Sequence, residues 1–283
     1  MAIEVKNLTH IYAEGLPHEQ LALDDINFRV EDGEFVGIIG HTGSGKSTLA
    51  QHLNGLLKPT SGQIIVGDTD ITAKETRMRD VRRKIGLVFQ YPEYQLFEET
   101  VAKDVAFGPK NLGLSQEEID RRVEDAINLV GLNYEEVKDA SPFDLSGGQK
   151  RRVAIAGVIA MNPEILILDE PTAGLNPKAH QDILNMVSLI HRTAGSIIFM
   201  ISHNMNDIAR MSDRVLVMDR GRLALQGTPE EVFAKEEELK SMGLALPDSM
   251  EIASRLRDAG IEIEGSCMTI SETADALEAA LKR

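Results

Sequence analysis

The stretch GHTGSGKST, residues 40–48, decides the fold of this chain. It matches the phosphate-binding pattern G-x-x-x-x-G-K-[ST] and follows an apolar run that predicts a buried strand at Phe35–Ile39. A helix is predicted directly after it, over residues 48–57, stopped by Lys58-Pro59. This order is typical of a nucleotide-binding α/β fold, because loop N–H groups and a helix N-terminus together attract phosphate.

The residue types in this loop each suit a phosphate group. Glycine permits positive φ and lets the backbone approach a ligand closely. Lys46 would contact the β- and γ-phosphates, and the Ser47 hydroxyl would hold Mg²⁺, with Thr48 beside it. We therefore expect nucleotide contacts from the whole loop: Gly40, His41, Thr42, Gly43, Ser44, Gly45, Lys46, Ser47 and Thr48.

A second segment, ILILDE at residues 165–170, is an apolar strand that ends in two carboxylates. Asp169 would reach Mg²⁺ from the strand end. Glu170 is the best candidate to orient and polarise an attacking water molecule. Two adjacent acids alone would be ordinary surface residues, but the four preceding aliphatic residues and the following Pro171-Thr172 favour a site.

A third segment, LSGGQ at residues 145–149, begins a predicted helix. Ser146 suits the N-cap, and the two glycines that follow leave backbone N–H groups bare. The segment is therefore an anion site without a ligand of its own, because the phosphate loop already provides for the nucleotide. The competing interpretation is a simple glycine-rich helix start. The anion-binding residues would be Ser146, Gly147, Gly148 and Gln149.

Composition restricts the classes of partner. The formal net charge of −15 over 283 residues makes nucleic acid an unlikely ligand, because phosphate backbones would be repelled. Solubility or a basic protein partner could each account for the charge. A single cysteine, Cys267, excludes disulfides within the chain. No apolar run is long enough to span a bilayer, so another chain must provide any span.

The order of predicted elements indicates an α/β core with additions. Short strands are predicted near the N-terminus, at residues 3–5 and 26–30, and a mostly helical block at about 91–161 is inserted between core strands. We expect the main domain to cover residues 1–227. Residues 228–283 form a small helical appendage, which would be either a cap on the main domain or a dimerisation element.

The ordered set of three segments resembles the ATP-binding subunit of ABC transporters. The resemblance implies a P-loop NTPase (RecA-like) core with N-terminal antiparallel strands and an inserted helical subdomain. It also implies that LSGGQ of one subunit closes over the ATP held by the phosphate loop of another. Each ATP, with Mg²⁺ as cofactor, would then be sandwiched in a dimer interface.

The same resemblance assigns further residues. Gln90 resembles the family's glutamine that senses Mg²⁺ and the attacking water, and His203 resembles the switch histidine that contacts the γ-phosphate. Tyr12 resembles the aromatic residue that stacks on adenine, although a buried core tyrosine is the alternative. The implied catalytic residues are Glu170, His203 and Gln90, and the implied Mg²⁺ ligands are Ser47, Gln90 and Asp169.

Residues 88–101 and 104–109, with the short tail, resemble the ATPase subunits of energy-coupling factor (ECF, CbiO-like) transporters, and the second of the two paralogues in particular. The resemblance implies a peripheral subunit on the cytoplasmic face of the cell membrane. Its partners would be a homologous ATPase, a transmembrane coupling protein and an exchangeable substrate-binding membrane protein. Glu93, Glu98 and Glu99 would form an acidic groove for arginines of the coupling helices.

Three alternatives stay open beside import of vitamins or other micronutrients. They are an importer of cobalt or nickel ions, a non-transport ABC ATPase, and a scaffold that binds ATP but scarcely hydrolyses it. The segment that ends in Asn176 departs from the family pattern, which ends in Asp. Asn keeps a hydrogen-bonding group and loses the charge. Either this chain pairs with a non-identical subunit, or Asn works as well.

Overall fold

The computed structural model describes residues 2–261, 263–265 and 267–282. Within them the strands are β1 (Ile3–Tyr12), β2 (Gln20–Val30), β3 (Phe35–Ile39), β4 (Ser61–Val66), β5 (Thr69–Asp70), β6 (Ile85–Val88), β7 (Ile165–Asp169), β8 (Ile197–Ile201), β9 (Arg214–Asp219) and β10 (Arg222–Gly227).

The helices in the same residues are α1 (Lys46–Leu53), α2 (Met78–Lys84), α3 (Val101–Asn111), α4 (Gln116–Leu129), α5 (Tyr134–Val137), α6 (Gly147–Ile159), α7 (Pro177–Ala194), α8 (Met205–Met211), α9 (Pro229–Phe233), α10 (Glu236–Ser241), α11 (Asp248–Asp258) and α12 (Ile270–Leu281). Two 3₁₀ helices, Pro92–Gln95 and Pro142–Asp144, precede α3 and α6. No described helix is long and apolar enough to cross a membrane.

The central sheet has the strand order β10-β9-β3-β8-β7-β6. Its neighbours are parallel except at the edge, where β10 runs antiparallel to β9. Every residue of β3, β7 and β8 is buried, as expected for parallel strands covered on both faces. The carboxyl ends of these three strands therefore meet at one edge, which is where ligands bind in such sheets.

A second, antiparallel sheet has the order β2-β1-β4-β5. Strands β1 and β2 are longer than the predicted residues 3–5 and 26–30. Their pairing shifts register between Val5 and Leu8 and twice more before Tyr12, and Asn7 adopts a positive φ of 48°. Such bulges break the alternation of apolar and polar residues on which strand prediction depends. The extra length carries Tyr12 to the edge of the central sheet's ligand site.

The start of helix α1 also differs from the prediction. It begins at Lys46 and ends at Leu53 instead of covering residues 48–57. Gly45 occupies the N-cap with φ of 103°, a conformation open to glycine, so the loop lysine is already in the first turn. The chain leaves the helix at Asn54, whose side chain donates to the Ile85 carbonyl.

Capping signals in the sequence, Ser115-x-x-Glu118 and Thr269-x-x-Glu272 among them, predict the starts of several helices. Ser115 caps α4 and Thr269 caps α12, while Thr228 forms a complete capping box at α9. The C-terminal helices α11 and α12 pack around a small apolar cluster of Ala253, Ile263 and Cys267. A role of the appendage in dimerisation stays a prediction.

A buried histidine pair joins helix α1, which carries His52, to strand β1, which carries His10. His52 is 1% exposed, and its Nδ1 donates to the Thr48 carbonyl at 2.8 Å. The ring of His10 meets it edge-on at a centroid distance of 4.5 Å. Burial lowers the pKa of His52 from 6.5 to about 4. The folded protein therefore keeps this ring neutral at pH values where an unfolded chain would protonate it.

We expect the free energy of unfolding to fall as pH is lowered from 6.5 towards 4, because the unfolded state then binds a proton that the folded state does not. By pH 5 the protonation of His52 in the unfolded state should have lowered the free energy of unfolding by about 2 kcal/mol. Urea unfolding at pH 7.5, 6 and 5 checks this. His52→Gln, which keeps a donor for the Thr48 carbonyl, should show a shallower pH dependence. Equal slopes in the two proteins would contradict the assignment.

Candidate active site

A cleft of about 320 Å³ lies at the carboxyl edge of the central sheet. It brings together residues from the phosphate loop, β1 and the ends of β7 and β8. The residues that line it are Tyr12, Gln20, Ala22, Thr42, Gly43, Gly45, Lys46, Ser47, Thr48, Gln90, Asp169, Glu170, Ile201 and His203. Most of the positions singled out from the sequence therefore meet in one place.

The phosphate loop wraps around the Lys46 ammonium group. Its Nζ donates to the carbonyls of Gly40 at 2.7 Å and His41 at 3.0 Å. Burial lowers the pKa of Lys46, an effect opposed by the charges of Glu170 and Asp169. The hydroxyl of Ser44 is fully buried and has no hydrogen-bond partner among the described residues. Of these two groups only Lys46 lines the cleft, so the loop brings a buried cation to a ligand-sized space.

The side chain of His41 is held by a residue of the neighbouring strand β9. Its Nε2 lies 3.0 Å from Asp219 Oδ1, and its Nδ1 lies 2.8 Å from the Thr42 carbonyl. Asp219 ends β9 and was not singled out from the sequence. An acid directly after the apolar run of residues 215–218 is the same signal that identified Asp169, and it could have been found in that way.

Two buried carboxylates face Lys46. Burial raises the pKa of Asp169, while a hydrogen bond from Ser47 and the Lys46 charge oppose the rise. Burial also raises the pKa of Glu170 to about 7, and the neighbouring Asp169 charge adds to it. Glu170 Oε1 is buried without a hydrogen-bond partner among the described residues. This pair is therefore incompletely neutralised, and a cation or a water molecule would complete it.

The backbone of Glu170 adopts φ of 51°, in the left-handed region that non-glycine residues rarely occupy. Its N–H donates to the Ile201 carbonyl at 3.0 Å, and its own carbonyl accepts from the Ala173 N–H at 3.2 Å. This turn at the strand end lets both Asp169 and Glu170 line the cleft, although neighbouring side chains in a strand point to opposite faces.

His203 and Gln90 complete the edge of the cleft. His203 follows β8, and its Nε2 lies 3.5 Å from Glu170 Oε1. Burial and the charge of Lys46 lower the pKa of His203, while Asp169 opposes them. Gln90 comes two residues after β6, is exposed, and lines this cleft and a neighbouring one. Both side chains can reach a ligand held by the loop.

Tyr12 lies at the opposite wall. It ends β1, is 38% exposed, and places its hydroxyl 3.2 Å from Thr48 Oγ1. The His10 ring packs edge-on against it at 4.5 Å. The alternative of a buried core tyrosine is therefore wrong, and a flat apolar group could stack on the accessible face.

The LSGGQ segment is not part of this cleft. Ser146 and Gln149 form a capping box at the start of α6: Ser146 Oγ accepts from the Gln149 N–H at 3.4 Å, and Gln149 Oε1 accepts from the Ser146 N–H at 3.1 Å. The prediction of an N-cap is confirmed. Ser146 and Gly147 are exposed, and none of residues 146–149 lines the cleft. One chain alone therefore does not bring the two anion-binding segments together.

Asn176 has a local structural task. Its Oδ1 accepts from the Ala179 N–H at 3.0 Å and so caps helix α7. Asp and Asn serve about equally well as N-caps. The loss of charge at this position therefore leaves the capping interaction in place.

The expectation of an acidic groove formed by Glu93, Glu98 and Glu99 is wrong for Glu93. This side chain turns inward and pairs with the buried guanidinium of Arg151 at 2.7 Å. Glu99 pairs with Lys103 at 2.7 Å. The sequence showed three neighbouring acids, but it could not show that one of them has an internal partner 58 residues away.

Comparisons with known proteins agree with this geometry. Residues 23–173 match the ABC transporter family. A protein of Clostridium perfringens, described as energy-coupling factor transporter ATP-binding protein EcfA2, is 56% identical over 98% of this chain and 97% of its own length. A protein of Caldanaerobacter subterraneus with the same description is 57% identical over 96% of this chain and 95% of its own.

The chain belongs to the ABC transporter family. Within it, the chain is an ATP-binding protein of the energy-coupling factor type, whose ATP hydrolysis energises an importer. Solved structures agree. That of cbiO1 from Clostridium perfringens, described as part of the ABC transporter complex cbiONQ, has a TM-score of 0.75 at 40% identity and covers 90% of this chain and 98% of its own. The resemblance seen in the sequence is confirmed, and so is the P-loop NTPase fold.

The ATP-binding cassette MJ0796, solved as a dimer, gives a TM-score of 0.71 at 30% identity over 80% of this chain and 98% of its own. A dimer of the same cassette is described as a post-hydrolysis state bound to ADP and Pi. Among these neighbours, cbiO1 is thus described as part of a transporter complex and MJ0796 as a dimer.

We expect Gly45→Ala to weaken ATP binding. At φ of 103° the new Cβ would lie 2.7 Å from the Ala22 carbonyl oxygen, so the loop must move. Backbone strain of about 1–3 kcal/mol adds to this contact. Gly195→Ala is the matched control, since its φ of 61° is also positive but nothing lies within 4 Å. Titration with a fluorescent ATP analogue should show a loss of affinity in Gly45→Ala alone; equal affinities would contradict the prediction.

Proposed function

We propose that this chain is one of two non-identical ATPase subunits of an ECF-type importer of vitamins or other micronutrients, bound at the cytoplasmic face of the membrane. Its ATP would be held by its own phosphate loop and enclosed by the LSGGQ segment of the partner subunit. The observation that carries this proposal is the separation of the two anion-binding segments: Ser146 and Gly147 are exposed, and none of residues 146–149 lines the cleft.

The donor set of the cleft suits Mg²⁺. Ser47, Gln90 and Asp169 offer only oxygen ligands towards the metal, and the ion usually takes one or two carboxylates together with phosphates. Bound Mg²⁺ would neutralise charge on the phosphate oxygens. Lys46 would hold the β- and γ-phosphates, and the loop N–H groups would orient them. Tyr12 would stack on the adenine.

Glu170 would orient the attacking water. Its Oε1 is buried and free to accept a hydrogen bond, and His203 lies beside it at 3.5 Å. A carboxylate with a pKa near 7 exchanges protons readily at neutral pH. His203 would contact the γ-phosphate, and Gln90 would contact the water and the metal. These three residues carry the hydrolytic step.

The exposed start of α6 would act on the partner's nucleotide. Ser146 and the bare N–H groups of Gly147 and Gly148 form a helix N-terminus that attracts anions. Closure of the dimer on ATP would complete two such sites. Hydrolysis would remove the shared phosphate and reopen the interface, so nucleotide state is converted into movement.

We expect Glu170→Gln to lower the ATPase rate of the purified membrane complex by roughly 10²- to 10⁴-fold at the site of this chain, because the base is lost. Nucleotide binding should persist. Glu164→Gln, an exposed glutamate just before the same strand, is the matched control. Phosphate release and ATP-analogue binding would be measured for both. A wild-type rate in the Glu170→Gln complex would exclude this hydrolytic role, and equally low rates before and after substitution would favour the scaffold alternative.

The groove beside Phe97 and Phe107 is the proposed docking site of the transmembrane coupling protein. These two rings are 56% and 47% exposed and meet edge-on at 4.9 Å. The groove has a volume of about 530 Å³ and is shared by α3, α6 and the segment that follows Gln90. Three arginines, Arg79, Arg82 and Arg83, also line it. An apolar face of a coupling helix would cover the rings, so that its movement reaches the Gln90 segment.

Phe97→Ser combined with Phe107→Ser should therefore reduce recovery of the membrane partners with this chain, because apolar contact area is lost. ATP binding to the isolated chain should stay unchanged. Leu189→Ser, an apolar residue 39% exposed on α7, serves as control. Affinity purification from membranes that contain all subunits gives the measurement. Full recovery of the partners with the double variant would move the docking site elsewhere.

A further inference from the structure

Arg151 is the largest fully buried side chain among the described residues, with 1% exposure. Its guanidinium makes four hydrogen bonds. Nε and Nη2 donate to the two carboxylate oxygens of Glu93, at 3.0 and 2.7 Å. Nη1 donates to the carbonyls of Pro171 at 3.1 Å and Ala173 at 2.7 Å. The Tyr91 ring lies 5.7 Å from the guanidinium carbon.

These contacts join three segments that are far apart in sequence. Glu93 lies three residues after Gln90, in the 3₁₀ helix Pro92–Gln95. Pro171 and Ala173 come directly after Glu170. Arg151 itself is in the second turn of α6, whose first turn carries the LSGGQ segment. One side chain therefore links the segments of Gln90 and Glu170 to the helix that would meet the partner's nucleotide.

The geometry of the link is specific. A guanidinium paired with a carboxylate through two parallel N–H bonds fixes both distance and orientation, which a lysine could not do. Burial raises the pKa of Glu93, but the hydrogen bonds and charge of Arg151 outweigh burial and lower it. The pair therefore stays ionised. A buried ion pair of this kind tolerates little displacement, since either charge alone would be strongly unfavourable.

The Glu170 backbone needs such support. Its φ of 51° is disfavoured, and conformations of this kind persist only where surrounding structure holds them. The Ala173 N–H and the Arg151 bonds to Pro171 and Ala173 hold the turn that follows it. Without Arg151, these two carbonyls would lose their shared donor.

We infer that Arg151 is a positioning residue for ATP hydrolysis: it fixes the positions of Glu170 and the Gln90 segment relative to α6, the helix of the same chain that begins with the LSGGQ segment. A displacement of α6 by the partner's nucleotide is thereby passed to the hydrolytic groups of this chain. The inference rests on the proposed roles of Glu170, Gln90 and Ser146.

The test compares Arg151→Met with Arg152→Met in the purified membrane complex. Arg152 is the next residue of the same helix, pairs with Asp182 at 2.8 Å, and touches neither Glu93 nor the turn after Glu170. Both variants remove one charge. We expect kcat at this chain's site to fall roughly tenfold to a hundredfold in Arg151→Met, because misplacement by about 1 Å has effects of that size. ATP affinity should be retained, and Arg152→Met should behave as wild type. Arg151→Lys keeps the charge but loses the two parallel N–H bonds to Glu93, so its kcat should lie between those of wild type and Arg151→Met.

A role confined to stability would give a different pattern. Arg151→Met would then melt at a lower temperature but hydrolyse ATP at the normal kcat well below that temperature, and this result would overturn the inference. If Arg151→Met does not fold, Glu93→Gln decides, because it keeps the side-chain shape and removes one charge; the same loss of kcat with retained ATP affinity is expected. Where both single variants fold, the double variant of Arg151→Met and Glu93→Gln should have a kcat no lower than that of Arg151→Met, since the pair acts as a unit.

The Glu170→Gln complex separates the two levels of the proposal. Its residual rate gives the contribution of the partner's site. If this complex hydrolyses ATP as wild type does, the proposed hydrolytic role fails. If it is impaired while Arg151→Met keeps the wild-type kcat, the hydrolytic role stands and only the positioning role of Arg151 fails.

Discussion

The parallel pairing of β8 with β3 on one side and β7 on the other is the constraint on which the site depends. Ile201, the last residue of β8, pairs with Ile38 near the end of β3 and with Asp169 at the end of β7. The phosphate loop, the two carboxylates and His203 therefore leave the sheet at the same level. A shift of one residue in either pairing would turn these side chains to the opposite face.

The consequence is a cleft in which the charged groups are individually under-stabilised. Burial lowers the pKa of Lys46 and raises the pKa values of Asp169 and Glu170. Burial disfavours the ionised form of each group, and the attraction between Lys46 and the two carboxylates offsets this effect only in part. In the proposed function, the phosphates of ATP and a divalent cation would supply the missing opposite charges. Nucleotide binding would then give Lys46, Asp169 and Glu170 the opposite charges that the folded chain alone does not provide.

Local signals were enough to predict much of this arrangement. The loop, the strand ends and the helix caps at Ser115, Ser146 and Thr269 are each defined within a few residues. Long-range pairing was not predictable in the same way. The bulges of β1 hid the length of that strand, and a pattern of neighbouring acids did not reveal that Glu93 faces Arg151. Residues whose role depends on a partner far away in sequence need the fold before they can be assigned.

Different contacts hold the two segments that leave β7 and β8 at the cleft. Arg151 holds the turn after Glu170, while the loop of His203 leads into α8, whose N-cap is Asn204. Asn206, the second residue of α8, makes two hydrogen bonds of 2.9 Å with Asp248 at the start of α11. The C-terminal appendage is thus attached directly behind the histidine that would sense the γ-phosphate. These two hydrogen bonds attach the start of α11 to the start of α8, so the appendage is held against the segment that follows His203.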